Sequence, residues 1–518
     1  MRSAVARVAL LLFVSGFCAL VYQTAWLRLF RLIFGASTAS SAAVLAIFMA
    51  GLGFGGLLLG RRVDRHPSPL GLYATLEAGI AISAGLSPWL VKLVEWVYIS
   101  LGGSAALGLT GSTLVRLLLA TLVLGLPTFL MGGTLPAVAR AVERGTDAGR
   151  RTVGLLYAVN TLGAVLGVLL TTFFTLEVLG IRKTVWIAAL LNLIVVLVAR
   201  SMARGLAEDR AEAAAEQASE EAGESRIGWL VPLAAGIVGF AFLLMELVWY
   251  RMLAPLLGGS SYTFGLILAV ALLGIGAGGL LYGAGEARRR PTLLAFATTC
   301  SLEALFLALP FALGDRLAVT AALLRPMGGA GFPALVGVWT AITALVVLPA
   351  AIVAGYQFPL LIALLGEGRR RVGREVGLTY AANTLGAILG SIAGGFGLIP
   401  LLTAPGVWRL VVVLLLVLAA VTLLAGLRAG APRRGALLPA AAGALGLVFC
   451  LATGPTAFWR HSPIGAGRVE TAKWSGPNDI RDQVSQMRQR VTWEADGVES
   501  SVALDLTMEY SLIVNGKS

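Results

Sequence analysis

Runs of about 20 apolar residues, each long enough to cross a hydrocarbon layer about 30 Å thick, recur along almost the whole chain. In lipid such a run folds as an α-helix, which satisfies each backbone N–H and C=O within its own segment. The runs fall at 5–27, 41–60, 70–99, 112–139, 152–180 and 183–201, then at 229–250, 261–283, 292–313, 333–365, 375–402 and 406–427, with a last at 437–454. Apolar residues make up 58% of the 518-residue chain and charged residues 13%, against roughly 45–50% and 25% in soluble domains. The expected fold is an all-α polytopic membrane protein, with the lipid bilayer as its first partner.

The first twelve runs are two copies of one six-helix unit. A constant offset of 223 residues carries Gly16-Phe17 onto Gly239-Phe240, Trp26 onto Trp249 and Arg28 onto Arg251. It also carries Pro136 onto Pro359, and Tyr157-Ala-Val-Asn160-Thr-Leu-Gly163 onto Tyr380-Ala-Ala-Asn383-Thr-Leu-Gly386. Repetition at a fixed period decides architecture ahead of any motif. An even number of spans per unit makes the repeats parallel, about an axis along the membrane normal, which resembles the major-facilitator arrangement. The expected division is 1–203 for the first repeat, 204–227 for an Ala/Glu-rich cytoplasmic linker, 228–428 for the second repeat, 429–455 for a thirteenth span and 456–518 for a soluble tail.

A formal net charge of +13 would suggest nucleic acid in a soluble protein, but here arginines cluster in alternate connections: Arg61 to Arg65, Arg140 to Arg151, Arg200 to Arg226, Arg288 to Arg290, Arg369 to Arg374 and Arg428 to Arg434. The positive-inside rule places these loops and the N-terminus in the cytoplasm, and so places the tail outside it, across a bacterial inner membrane. No nucleic-acid partner is expected. Cys18, Cys300 and Cys450 lie in apolar stretches, and His66 and His461 are far apart, so neither a disulfide framework, a metal centre nor a His-based catalytic site is expected.

Gly51-Leu-Gly53-Phe-Gly55-Gly56 and Gly274-Ile-Gly276-Ala-Gly278-Gly279 spell the dinucleotide fingerprint, which requires a strand before it and a helix start after it. Inside apolar spans such glycines serve close helix packing instead. The following loop places Arg61, Arg62, Asp64 and Arg65 as a latch that resembles the major-facilitator loop motif, or as a plain topology-setting cluster. Polar residues at membrane depth are costly and informative: Gln23, Arg28, Glu77, Asn160, Glu246, Arg251, Glu303, Gln357 and Asn383. Two readings are open for them. They line a cavity between the halves, with Glu246 and Arg251 able to pair, or they make interhelical hydrogen bonds that fix packing. Gly132, Gly133 and Pro136 in one repeat, and Gly355 and Pro359 in the other, are expected to interrupt the fourth span as packing kinks or as part of a transport site.

Beyond Gly454 the pattern changes. Residues 481–490 read as a polar helix, and Arg490 to Glu494, Ser501 to Asp505 and Tyr510 to Val514 as short strands with turns at Asp496-Gly497 and Asn515-Gly516. Together with the Trp-x-Arg helices, the glycine-rich second span and the doubled Tyr-Ala-x-Asn-Thr-Leu-Gly, these strands make the chain resemble bacterial fused proteins that join a major-facilitator-like membrane region to a spermidine synthase (polyamine aminopropyltransferase)-like domain. The resemblance implies a tail similar to the strands that precede the catalytic fold, and implies transfer of an aminopropyl group from decarboxylated S-adenosylmethionine to an amine. The Gly-rich loop and acidic motifs that would hold donor and acceptor do not occur in the tail, so no catalytic residue is assigned, no cofactor is expected within this chain, and the chain is expected to be catalytically incomplete as given. Two alternatives stand beside this reading: a secondary transporter of a polyamine or another small solute, and a membrane scaffold for an extracytoplasmic domain.

Overall fold

The computed structural model describes residues 2–34, 38–142, 150–213, 229–285, 291–365, 372–506 and 511–516. Arg144, most of the Glu-rich linker (214–227), Arg288 to Arg290 and Arg369 to Arg371 lie outside the described residues.

Among the described residues twelve helices are long and apolar enough to cross a membrane: Val5–Phe30, Val44–Val63, Pro69–Ser100, Leu114–Val142, Arg151–Val178, Gly180–Arg204, Leu230–Leu257, Tyr262–Ala284, Leu293–Leu313, Phe332–Leu365, Val372–Arg428 and Arg433–Cys450. Val372–Arg428 runs for 57 residues, about 85 Å at 1.5 Å per residue, which is two crossings. It breaks at Thr403, whose φ of 63° is left-handed. Counting that helix as two gives thirteen spans, numbered below in chain order. Along the fourth span Leu114, Leu118, Leu122 and Leu126 recur at every fourth residue and are all exposed, an apolar outer stripe that water would penalise and lipid accepts.

Packing reproduces the sequence repeat. A Cβ added at Gly163 would lie 1.9 Å from Phe13 O, and one added at Gly386 would lie 1.8 Å from Gly236 O, the same two positions 223 residues on. A Cβ at Gly16 would lie 2.1 Å from Asn160 O, as one at Gly239 would lie 2.0 Å from Asn383 O. The first span therefore touches the fifth as the seventh touches the eleventh, backbone to backbone, as small residues permit in bilayers. Each fifth-position span also ends in a π turn, Thr171–Thr175 and Gly394–Leu398, followed by a left-handed residue at Gly180 (φ 72°) or Thr403. Sequence reading passed over these matched interruptions.

The interruption expected in the fourth span is made in the first repeat alone. There the helix Gly103–Gly132 stops and Thr134–Val142 restarts, with Gly133 at the joint and Pro136 in the new first turn, where a missing N–H costs nothing. The counterpart Phe332–Leu365 runs unbroken through Gly355 and Pro359. What both glycine sites share is close approach, since a Cβ at Gly132 would meet Leu52 O, and one at Gly355 would meet Ile275 O, each at 2.2 Å.

The chain packs as two compact units whose boundaries cut through the second repeat: Met1–Phe240 with Ile275–Pro291 and Gly355–Leu389, and Ala241–Gly274 with Thr292–Ala354 and Gly390–Ser518. In the first unit the core is built around Tyr22, Trp26, Phe30 and Tyr73, all fully buried, with Trp26 Nε1 donating to Ser87 Oγ at 2.8 Å. In the second unit Phe311, Trp408 and Trp459 stack edge to face at 5.8 and 6.3 Å. Its tail holds the helix Pro477–Arg490 and three strands, β1 (Val491–Asp496), β2 (Ser501–Asp505) and β3 (Ser511–Val514), paired antiparallel in that order. The expected two-residue turn at Asp496-Gly497 is a longer loop closed by Gly497 N donating to Ser500 O at 2.8 Å. Asn515 and Gly516 have left-handed φ of 50° and 73°, as their sequence anticipates.

Candidate functional site

Three polar constellations stand out. The first, in the first unit, is a latch at the end that carries the arginine-rich loops. Asp64 accepts from the backbone N–H groups of Gly373 at 2.9 Å and Arg374 at 2.8 Å, the free donors at the start of the helix Val372–Ala393. Arg140 Nε stands 3.7 Å from the same carboxylate, and Arg150 pairs with Glu375. Burial pushes the Asp64 carboxyl above its ordinary value, and the two backbone donors and Arg140 offset part of that rise. Of the four loop residues singled out from sequence, Asp64 makes these contacts, while Arg61, Arg62 and Arg65 are exposed. The partners that matter, Arg140, Arg150 and Glu375, were read as topology signals or not at all, because nothing local in sequence ties residue 64 to residue 373.

The second constellation surrounds Glu77, fully buried in the third span. Ser15 Oγ donates to its Oε1 at 2.5 Å and Asn192 Nδ2 donates to its Oε2. Tyr22 OH donates in turn to Asn192 Oδ1 at 3.1 Å. Glu77 was singled out from sequence, whereas Ser15, Tyr22 and Asn192 were missed.

The other membrane-depth residues find separate surroundings. Asn383 Nδ2 donates to Ala235 O at 3.1 Å, and Asn160 is packed against Gly16, both consistent with interhelical packing. Glu303 and Gln357 are buried, Gln23 and Glu246 are half-buried, and Arg28 is exposed. Glu246 and Arg251 do not pair. Five residues apart, they point about 140° away from each other around the helix, and Arg251 Nη2 instead donates to Gly497 O at 3.1 Å and Val498 O at 3.0 Å.

That bond belongs to the third constellation, in the second unit, where the tail is fastened to the ends of the seventh, ninth and twelfth spans. Arg460, 4% exposed, donates through Nη2 to Asp496 Oδ2 at 2.9 Å and pairs through Nη1 with Glu494 Oε1 at 2.5 Å. The same Asp496 oxygen accepts from Ala404 N at 2.7 Å, capping the helix that restarts after the strained Thr403. His461 Nε2 lies 3.0 Å from Glu494 Oε2. Asp315 accepts from Thr456 N at 2.9 Å and pairs with Arg488 Nη2 at 2.8 Å. Trp459 Nε1 donates to Met252 O at 2.6 Å. The alternating pattern marked β1 as a strand, but it could not show that the alternate carboxylates Glu494 and Asp496 face one arginine.

Burial would push the Glu494 carboxyl up, but the His461 hydrogen bond and the Arg460 charge outweigh it and hold the group below its ordinary 4.5. A carboxyl lowered on docking stabilises the docked tail above 4.5, and that contribution is lost as pH falls toward the lower docked value. Tail docking, followed by tryptophan fluorescence and protease resistance of membrane-embedded protein, is expected to hold from neutral pH to about 4.5 and to weaken below it. Glu494→Gln is expected to flatten that acid limb. An acid limb of the same steepness in the variant would show that other groups drive it.

Among the described residues no group of three or more His, Cys, Asp or Glu could hold a metal. No protein-family model matches the chain. It is similar to the polyamine aminopropyltransferase of Corynebacterium efficiens, 29% identical over 195 residues, which are 36% of this chain and 34% of that protein. It is also similar to the polyamine aminopropyltransferase of Mycobacterium tuberculosis, 30% identical over 184 residues, or 34% and 32% of the two chains. The chain thus spans about a third of the length of the curated relatives it matches. Among solved structures it is similar to the human organic anion transporter MFSD10, with a TM-score of 0.45 and 15% identity over 81% of this chain and 99% of that one. The proton:xylose symporter XylE of the major facilitator superfamily gives a TM-score of 0.46 and 12% identity over 81% and 95%.

Proposed function

We propose that this chain is the membrane module of a polyamine aminopropyltransferase-like fused protein, carrying its strands at the extracytoplasmic end of the spans in a bacterial inner membrane. The observation that carries the reading is the buried fastening of β1 to the bundle through Arg460, Asp496 and Ala404 N. A strand segment that merely trailed from an anchor would need no buried ion pair. The partial similarity to two aminopropyltransferases supports the same reading. Aminopropyl transfer forms a bond from an amine nitrogen to the carbon beside a sulfonium and breaks that carbon–sulfur bond, releasing a neutral thioether, so it needs acidic groups that orient a cationic acceptor and take up its proton. Glu494 and Asp496 are committed to Arg460, so the module's contribution is placement. Decarboxylated S-adenosylmethionine would be held by a synthase-like fold beyond these strands. The test is deletion of the coding region for residues 1–455 in the cell that makes the chain. Aminopropyl transfer to putrescine is expected to move from the membrane pellet to the soluble fraction, and an unchanged distribution would refute the reading.

Sidedness has its own test. Lys473 is 78% exposed and its ion pair with Glu470 lies at the surface, so Lys473→Cys is expected to cost under about 1 kcal/mol. Cys18, Cys300 and Cys450 are buried, which keeps background low. A membrane-impermeant maleimide is expected to label the variant on intact cells. Labelling only after permeabilisation would put the tail in the cytoplasm and remove one crossing.

A second reading, a secondary transporter of a polyamine or other small solute, is favoured by the matched π turns and helix breaks at 171–180 and 394–403, since interrupted helices at equivalent positions of two repeats accompany transport sites. Radiolabelled putrescine uptake in cells that express the chain, abolished by Glu246→Gln, would favour it over the module reading.

A further inference from the structure

The Glu77 cluster has no part in fastening the tail, and its composition is unusual for a carboxylate at membrane depth. Both carboxyl oxygens are engaged, and both partners, Ser15 and Asn192, are neutral. Tyr22 orients Asn192 from the other side, and Tyr73, one turn before Glu77, gives its hydroxyl to Leu11 O at 3.3 Å. Cys18 gives its thiol to Ala188 O. Among the described side chains of the packed spans, several charged residues lie elsewhere. Arg7, Arg28, Lys92, Glu95, Arg182, Lys183 and Arg200 are exposed, Arg116 is bonded to Tyr98, and Arg140 stands beside Asp64. An ionised carboxylate stripped of water with no counter-ion costs several kcal/mol even after relaxation, and two neutral donors do not replace a cation. A carboxylic acid in the same place keeps both hydrogen-bond partners and carries no charge.

We propose that Glu77, Ser15 and Asn192 form a proton-binding site that ties together the first, third and sixth spans. The carboxyl holds the proton and shares it with Ser15 Oγ across 2.5 Å, while Asn192 braces the second oxygen. Binding and release make and break one O–H bond, with water as the other proton carrier, so no further reactant is needed. Losing the proton leaves a bare charge among three packed helices, which favours their separation or the entry of water. The site is independent of the aminopropyltransferase reading.

The test is infrared spectroscopy of the full chain reconstituted in liposomes at pH 7. A carbonyl band of an un-ionised carboxylic acid, shifted in heavy water, is expected in the wild-type protein and absent in Glu77→Gln. Its presence at equal strength in Glu77→Gln, or its absence from the wild type, would overturn the proposal. Should Glu77→Gln fail to assemble, Ser15→Ala decides, because it removes one hydroxyl from a helix that tolerates alanine. The acid band is then expected at a shifted frequency, and an unmoved band would place the proton elsewhere.

Discussion

Asp496→Ala is expected to loosen the tail from the end of the spans, weakening its docking by about 1–3 kcal/mol, the usual cost of leaving buried donors without their acceptor. Asp496 is fully buried and Arg460 nearly so, so the loss leaves Arg460 Nη2 without its carboxylate, with Glu494 as the remaining partner of the guanidinium, and also uncaps the twelfth span at Ala404. Asp496→Asn separates these contributions, since an amide oxygen still accepts from Ala404 N but no longer balances Arg460. Docking is read by trypsin cleavage across the tail helix Pro477–Arg490, where Arg481 and Arg488 are exposed. Cleavage is expected to accelerate in the order wild type, Asp496→Asn, Asp496→Ala. Lys473→Ala, which removes an exposed pair, is expected to stay within about 0.5 kcal/mol of wild type. Equal protection in wild type and Asp496→Ala would mean that Asp315, Arg251 and Trp459 hold the tail unaided.

Gly163→Leu and Gly386→Leu are expected to abolish assembly of the two repeats. At each site even a Cβ would overlap a carbonyl of the facing helix, at 1.9 and 1.8 Å, and backbone cannot swing aside as a side chain can. Gly163→Ala and Gly386→Ala are each expected to cost at least the roughly 1–3 kcal/mol typical of overpacking. The two alanine variants should be about equal, because the contact recurs at the 223-residue offset. Gly337 is the contrasting case: it is helical and a Cβ there meets nothing within 4 Å, so Gly337→Ala is expected to gain about 0.5–1 kcal/mol. Thermal midpoints and monodispersity in detergent check the set. A tolerated Gly163→Leu would show that the first and fifth spans stand farther apart than the contact between Gly163 and Phe13 O allows.

Sequence by itself determined the number of spans, their order and the repeat, because hydrocarbon leaves a long apolar segment few conformations and a constant offset recurs in glycine, tryptophan, arginine, proline and asparagine positions. It also marked Glu77, Asp64 and the three strands, since a carboxylate in an apolar run, an acidic residue in an arginine-rich loop and an alternating pattern are local signals. The partners of those residues came only from tertiary structure. Asp64 meets Gly373 across 309 positions and Asn192 meets Glu77 across 115, and no periodicity encodes such distances. Arg251 shows the same division, with a position in the repeat that sequence fixed well and a bonding partner in the tail that it could not suggest. Which side chains satisfy a buried polar group depends on how helix faces rotate when the core closes, and that is settled by packing between segments, not within them.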